Sequence, residues 1–253
     1  MKSSISDNNE YPNFCKLAYE NDVVFNNFKN NNVYMEILEH VSFEDGLKYI
    51  KEIKLNKSSL FNNICKFKTN DSIGNPVKYK FEEPYGEMSP TTIRYIKILY
   101  DLCENFENLD NKNIVEIGAG YGGQCKIISD IFNYKTYTIF DLKEVSLLIG
   151  KYLNKMNVNH YIADFNNIKD TNYDLCISNY AFTECSKDIQ NIYIDKVIKT
   201  SKHGYMICNF ISHIFNLNSY SKNELISELG KYHTLKVIEE KPITYNNNIT
   251  IMW

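Results

Sequence analysis

The sequence predicts an α/β protein: a mostly parallel seven-stranded sheet with its last strand antiparallel, behind a mainly helical N-terminal cap. Three observations predict it. From Asn113 onward, short apolar strands alternate with stretches of helical period, the pattern of a parallel sheet with right-handed crossovers. The first strand, Ile114 to Ile117, runs into Gly118, Gly120, Gly122 and Gly123 and then a helix, so a ligand there can meet bare backbone. The last two apolar runs, Thr234 to Lys241 and Asn248 to Trp253, are only a few residues apart, which demands an antiparallel hairpin at one edge. Residues 1–88 lack this alternation and read as a helical cap with a substrate lid. Residues 89–253 read as the sheet domain.

Taken in order, residues 1–32 are rich in Asn and broken by Pro12, with small apolar clusters such as Val23 to Phe25. They predict short surface helices and a loose tail. Val33 to His40 and Phe43 to Ile53 read as better helices, the second opened by Ser42 with Asp45 three residues on. His40 falls where a helix C-cap would be. Residues 70–88, NDSIGNPVKYKFEEPYGEM, are punctuated by glycines and prolines around an alternating strand, Val77 to Phe81; they read equally as a lid or a connector. Ser89 and Pro90 then supply an N-cap and first helical residue for a helix whose buried stripe is Ile93, Ile96, Tyr100 and Cys103. Arg94 and Tyr95 on its first turns are candidate substrate-binding residues, since an Arg can grip a phosphate or carboxylate; a surface Arg is the alternative.

Thr136 to Phe140 is the second strand, followed by Asp141 and Leu142 and a helix through Leu153. His160 to Ala163 ends in Asp164 and Phe165, Tyr173 to Ser178 ends in Asn179, and Gly204 to Asn209 is the fifth strand, with Asn209 at its end. Helices are expected at 187–199 and 222–229. Ligands of such a sheet bind beyond the C-terminal strand ends, where these polar residues fall.

Gly118, Gly120 and Gly123 also satisfy the spacing of a dinucleotide fingerprint. Glu116 decides between the two cofactor classes. A pyrophosphate about 5 Å from that carboxylate would cost about 3 kcal/mol per charge at an effective dielectric of 20. S-adenosylmethionine instead brings an ammonium and a sulfonium, which the same carboxylate attracts, while its own carboxylate can use the helix end. Glu116, Gly118, Gly120, Gly122, Asp141, Leu142, Asp164, Phe165 and Asn179 are therefore the candidate cofactor-binding residues. Asp141 is placed for the ribose hydroxyls, and Asp164 with Phe165 for the adenine. A side chain at Gly120 is expected to enter the cofactor's space.

These segments, EIGAGYGGQ, FDLKEVSLL, SNYAFTE and the Gly204-Tyr205 strand, together with GNPVKY and SPTTIRYIK before them, resemble the bacterial sugar O-methyltransferases of the class I S-adenosylmethionine-dependent superfamily, over about residues 70 to 253. The resemblance implies a Rossmann-like sheet whose last strand inserts antiparallel beside the fifth. It also implies an acceptor hydroxyl on a sugar, nucleotide-linked or in a capsule or lipopolysaccharide precursor. Methyl transfer to a hydroxyl needs a base near the acceptor. Glu184 and His213 are the catalytic candidates, Tyr180 and Asn209 the further substrate-binding ones. Their alternatives are a helix cap for Glu184, a structural imidazole for His213 and core packing for Tyr180.

With 43% apolar and 23% charged residues the chain reads as globular, and a net charge of −3 gives no pull toward nucleic acid. Seven scattered cysteines without a C-x-x-C pair, no apolar leader and no run long enough to span a bilayer predict a cytoplasmic protein. No H-x-H, D-x-D or H-E-x-x-H cluster calls for a metal. An aromatic-rich cap offers a homodimer surface. Two rival functions are a nicotinamide-dependent oxidoreductase, disfavoured by Glu116 and the terminal hairpin, and a methyltransferase-like binding module without catalysis, whose sign would be a damaged glycine loop; this loop is intact.

Overall fold

Residues 2–55, 59–106, 108–168 and 171–253 are described in a computed structural model. The N-terminal part carries α1 (Glu10–Glu20), α2 (Asp22–Phe25), α3 (Asn32–Ile37), α4 (Phe43–Leu55) and α5 (Ile64–Phe67), followed by a small antiparallel hairpin of β1 (Tyr79–Lys80) and β2 (Glu87–Met88). Then come α6 (Pro90–Asn105), β3 (Asn113–Ile117), α7 (Gly123–Ser129), β4 (Thr136–Phe140), α8 (Lys143–Lys155), β5 (Tyr161–Ile162), β6 (Tyr173–Asn179), α9 (Lys187–Tyr193), β7 (Ser201–Cys208), α10 (Lys222–Leu229), β8 (Lys236–Glu239) and β9 (Ile249–Met252).

The sheet has the order β5-β4-β3-β6-β7-β9-β8. Strands β3 to β7 are mutually parallel, while β9 runs antiparallel between β7 and β8. The fold is therefore the Rossmann-like sheet of class I methyltransferases, with the last strand inserted beside the fifth. Chain order reverses between β3 and β6, and that switch point is where an open sheet leaves a ligand crevice. Both faces are covered. Ile114, Tyr137, Ile139 and Leu175 pack with α6, α7, α8 and the N-terminal helices, and Val115, Ile117, Cys176 and Met206 pack with α9 and α10. Burial on both sides explains why these strands read as continuous apolar runs rather than alternating ones.

The N-terminal residues are more ordered than their composition predicts. Pro12 lies in the first turn of α1, where no amide is needed, so it helps start a helix rather than break one. Tyr11, Cys15 and Ala18, at helical spacing, form the buried face of α1, and Lys151 of α8 closes its C-terminal end by donating to the Tyr19 carbonyl at 2.7 Å. The tail before it is pinned rather than loose: Ile5 N donates to Glu184 O at 2.9 Å and Ser186 N to Ser3 O at 2.8 Å. One core runs unbroken from Tyr11 and Phe28 to Tyr205 and Met252. At its centre the fully buried Lys29 donates to the Asn70 carbonyl at 2.7 Å and lies 3.9 Å from the Tyr121 ring centroid; burial pushes its pKa down to about 8.

Residues 70 and 71 show why the segment before α6 is fixed at its start. The buried Asp71 accepts from Ser89 N at 2.6 Å, Ser89 Oγ at 2.8 Å and Thr92 Oγ1 at 2.6 Å. Asn70 donates to Thr92 Oγ1 and Tyr121 Oη. The helix beyond β6, expected over 187–199, passes from α9 into a wider π turn at Ile194–Ile198. There Thr200 and Ser201 hydroxyls donate to the Val197 carbonyl, competing with the helix ladder. No helix among the described residues is long and apolar enough to cross a membrane.

Candidate functional site

A cavity of ≈ 1460 Å³ opens at the C-terminal ends of β3, β4, β6 and β7 and is closed over by the N-terminal segment and α4. A pocket for one small ligand usually occupies about 300–1,000 Å³, so this one has room for two.

The glycine turn forms its floor. Gly118 and Gly120 have φ +75° and +63°, a region costly for any side chain. A Cβ on Gly118 would stand 2.0 Å from that of Ala181, so only glycine lets the chain after β6 cross the turn. A Cβ on Gly120 would meet Leu38 Cδ2 of the cap at 2.8 Å. Gly120 and Leu38 both line the cavity, so a side chain at Gly120 would strike the cap's Leu38 first. Gly122, expected beside the cofactor, faces the Leu153 side chain and does not line the cavity.

The turn's own amides are largely committed. Gly118 N donates to Phe140 O, and Gly122 N to Ala119 O. Ala119 N and Gly120 N donate to Asp141 Oδ2 at 2.8 and 3.2 Å, and Leu142 N to Oδ1 at 2.8 Å. Asp141 thus braces the turn from the end of β4, and with two lone pairs per oxygen it still has an open acceptor position on Oδ1. Burial lifts its pKa to about 6 against these three amide bonds. The helix end expected to receive a carboxylate belongs to a helix of seven residues, behind amides already engaged.

Glu116 is 1% exposed, yet it lines the cavity. Its carboxylate accepts from Tyr137 Oη at 2.8 Å, and burial, outweighing that bond, pushes its pKa up to about 8. Asp164 sits on the rim, where it caps the turn after β5 by accepting from Asn166 N and Asn167 Nδ2; these bonds hold its pKa below the usual range. Phe165 beside it packs edge-on against Tyr193 at 5.2 Å, and Tyr193 in turn against Phe140, giving an apolar slot next to Leu142. Asn179 Oδ1, at the end of β6, is buried without a hydrogen-bond partner. An adenosine carrying a cationic amino-acid tail fits this set: an apolar slot, a carboxylate with an open lone pair, an orphaned acceptor and a buried acid.

At the other end, Glu184 accepts from Asn209 Nδ2 at 2.7 Å, and Asn209 Oδ1 takes the Thr183 hydroxyl. Burial raises the Glu184 pKa. Tyr180 holds φ +68°, costly for an aromatic residue, and its hydroxyl donates to the buried Glu240, which also accepts from Thr244 and Asn248. Arg94 and Tyr95 reach the cavity from α6. His213 does not: it is exposed, its ring bonded to Phe210 O at 2.8 Å, and the cavity is lined by its neighbours Ile211, Ile214 and Phe215 instead. None of residues 70–88 lines it. His40 stands beyond the end of α3, on the cavity wall rather than in a helix cap.

Sequence reasoning missed Tyr11, Tyr49, Tyr193, Glu240 and the strap of residues 2–6. Tyr11 was legible as part of a helix, but nothing local says that α1 lies over the crevice. Glu240 had a strand-end position as its only signal.

No protein-family model matches the chain, and no curated protein matches it. Among solved structures it is similar to a candidate sarcosine dimethylglycine methyltransferase from Galdieria sulphuraria, at 14% identity and TM-score 0.51 over 71% of this chain and 77% of that one. It is also similar to the N-methyltransferase NodS from Bradyrhizobium japonicum in complex with S-adenosylhomocysteine (14%, TM-score 0.49, 63% and 83%). A third is an S-adenosylmethionine-dependent methyltransferase from Clostridium acetobutylicum (12%, TM-score 0.49, 61% and 87%). At such identities the likeness concerns the fold.

Proposed function

We propose that the protein is an S-adenosylmethionine-dependent O-methyltransferase that methylates a sugar hydroxyl, nucleotide-linked or within a capsule or lipopolysaccharide precursor. One observation carries the reading: a cavity at the sheet's switch point is lined by Glu116, Asp141, Leu142, Phe165 and Tyr193 and also by a set rich in hydroxyl, amide and aromatic groups. When bound, the cofactor supplies an electrophilic methyl group. Glu116 answers its positive charge, Asp141 accepts from the ribose, and Phe165 with Tyr193 covers the base. The sugar assignment is supported by the SNYAFTE and SPTTIRYIK segments and by the polar and aromatic lining contributed by Tyr49, Tyr180, Asn209, Thr244 and Tyr245.

The acceptor hydroxyl must lose its proton as the new C–O bond forms. Glu184 is the base in this reading, because burial strengthens it as a proton acceptor and Asn209 fixes its orientation. Alignment of the acceptor by the surrounding wall contributes several kcal/mol more in favourable cases.

The test is mass spectrometry of a nucleotide-sugar panel incubated with protein and S-adenosylmethionine, after calorimetry with S-adenosylhomocysteine. A gain of one methylene mass on a panel member is expected. Binding of NADH without binding of S-adenosylhomocysteine would overturn the reading in favour of an oxidoreductase.

A further inference from the structure

Arg94 is an unusual cation for this molecule. It is 6% exposed and lines the cavity, and among the described residues no carboxylate stands within 4.0 Å of it. Other buried cations are matched. Lys97 pairs with Asp101 at 2.6 Å, Lys126 with Asp130 at 2.5 Å, and Lys29 is wrapped in aromatic rings. Arg94 has a long bond, Nη2 to the Leu38 carbonyl at 3.4 Å, lies over the Tyr95 ring at 5.7 Å from its centroid and hydrogen-bonds the Tyr95 side chain, while the buried Glu39 acts on its charge from beyond ion-pair distance. A guanidinium stays charged at any relevant pH and carries five donors in a planar fork. Left in a cavity wall with most donors unused, it is a place for a carboxylate.

Its neighbourhood says which carboxylate. The Leu38 residue that Arg94 touches is the one covering Gly120, so Arg94 reaches toward the glycine turn from a wall position where it also feels Tyr49 and Tyr180. Arg94, Tyr95 and Glu116 line the same cavity, and Tyr95 feels the charges of Arg94, Glu39 and Glu116. The amides that could have taken an anion at this turn are committed to Phe140, Asp141 and Ala119.

We propose that Arg94 and Glu116 form a clamp for the zwitterionic α-amino-acid end of the bound S-adenosyl ligand, Arg94 taking the carboxylate and Glu116 the ammonium, with Tyr95 beside Arg94. Arg94 and Tyr95 thereby move from the acceptor side, where the sequence put them, to the cofactor side. The inference rests on the S-adenosylmethionine reading above.

Calorimetry on the full chain tests it with three ligands: S-adenosylhomocysteine, S-adenosyl-3-thiopropylamine, which lacks only the carboxylate, and 5′-methylthioadenosine, which lacks the whole amino-acid end. For the unaltered protein, removing the carboxylate should weaken binding at least tenfold. Arg94→Met should weaken S-adenosylhomocysteine at least tenfold and leave 5′-methylthioadenosine unchanged, and Arg94→Lys should fall between. The ligand series on the unaltered protein needs no variant, so poor folding of Arg94→Met does not shield the clamp. Equal affinity for the homocysteine and thiopropylamine ligands overturns it. So does an Arg94→Met protein that keeps full affinity for S-adenosylhomocysteine, which would give Arg94 to an anionic acceptor group instead. If none of the three ligands binds, the clamp and the cofactor reading both fall; if all three bind alike, only the clamp falls.

Discussion

In the proposed clamp, Glu116 should make cofactor binding depend on pH in a calculable way. In the free protein it titrates at about 8 because burial disfavours its charge more than the Tyr137 hydroxyl favours it, and Asp141 adds to the rise. At pH 7 it is then about nine-tenths protonated. An ammonium about 5 Å away, at an effective dielectric near 20, stabilises the carboxylate by about 3 kcal/mol, or about 2 pK units. The bound-state value falls to about 6, so binding at pH 7 should release about 0.8 proton. Affinity for S-adenosylhomocysteine should tighten about 25-fold from pH 6 to pH 8. The assay is calorimetry at both pH values in two buffers of different ionisation enthalpy, which counts the protons. Glu116→Gln keeps any titration of the ligand itself and should lose the rest of the slope. The sign for stability is opposite. An acid whose folded pKa is raised weakens the ligand-free fold as pH climbs from its unfolded value of 4.5 through about 8, by as much as about 5 kcal/mol above that window. Glu116→Gln should therefore melt higher than the unaltered protein at pH 9 and close to it at pH 4. Pure buffer-independent heats and a flat affinity between pH 6 and 8 would refute the assignment of Glu116 to a cation.

Three other outcomes are expected. Gly118→Ala places a methyl 2.0 Å from Ala181 Cβ at a φ of +75°; strain and overpacking together should cost about 2–5 kcal/mol in denaturant unfolding, whereas a neutral result would mean the turn is not held as described. Asp71→Ala strips the buried acceptor from Ser89 and Thr92 and should destabilise by about 1–3 kcal/mol, read by the same denaturant unfolding with S-adenosylhomocysteine absent. With an acceptor from the panel, Glu184→Gln should lower turnover about 10²- to 10⁴-fold at unchanged cofactor affinity, while His213→Ala stays within about twofold because its ring lies outside the cavity; the reverse pattern would return the base to His213.

The sheet was legible because its signals are local. Ile114 to Ile117 followed by four glycines, and two apolar runs only a few residues apart at the end, each have one low-energy reading, and the structure contains both. The insertion of β9 between β7 and β8 was not derivable from spacing, since a hairpin at the edge can present either strand inward; the resemblance supplied it. Pro12 shows a different limit. A proline is tolerated in a first turn and excluded from an interior, and the sequence does not say where the helix starts until the Tyr11, Cys15 and Ala18 stripe is seen to have something to pack on.

The site divides along the same line. Residues at strand ends, such as Glu116, Asp141, Phe165, Asn179 and Asn209, reach the cavity because the sheet's polarity puts every C-terminal end on one rim. Gly122 and His213 failed to reach it for reasons of direction rather than distance: Gly122 turns toward Leu153 in the core, and His213 toward solvent from a short helical turn. A pattern gives the position of a side chain along the chain, not the side of a loop it takes. Conversely, Tyr11, Tyr49 and the strap at residues 2–6 enter from elements packed on the sheet by long-range contacts. This asymmetry has a physical consequence for the cavity. Its floor is built from strand ends set by the ladder, while its roof comes from N-terminal segments held by side-chain packing and a few backbone bonds such as Ile5 to Glu184. Opening the roof to admit ligands disturbs fewer buried contacts than moving the floor, so amide exchange should be faster for residues 3–6 than for Ile114 to Ile117, and bound S-adenosylhomocysteine should narrow that gap. Equal protection in the free protein would mean that ligands enter by another route.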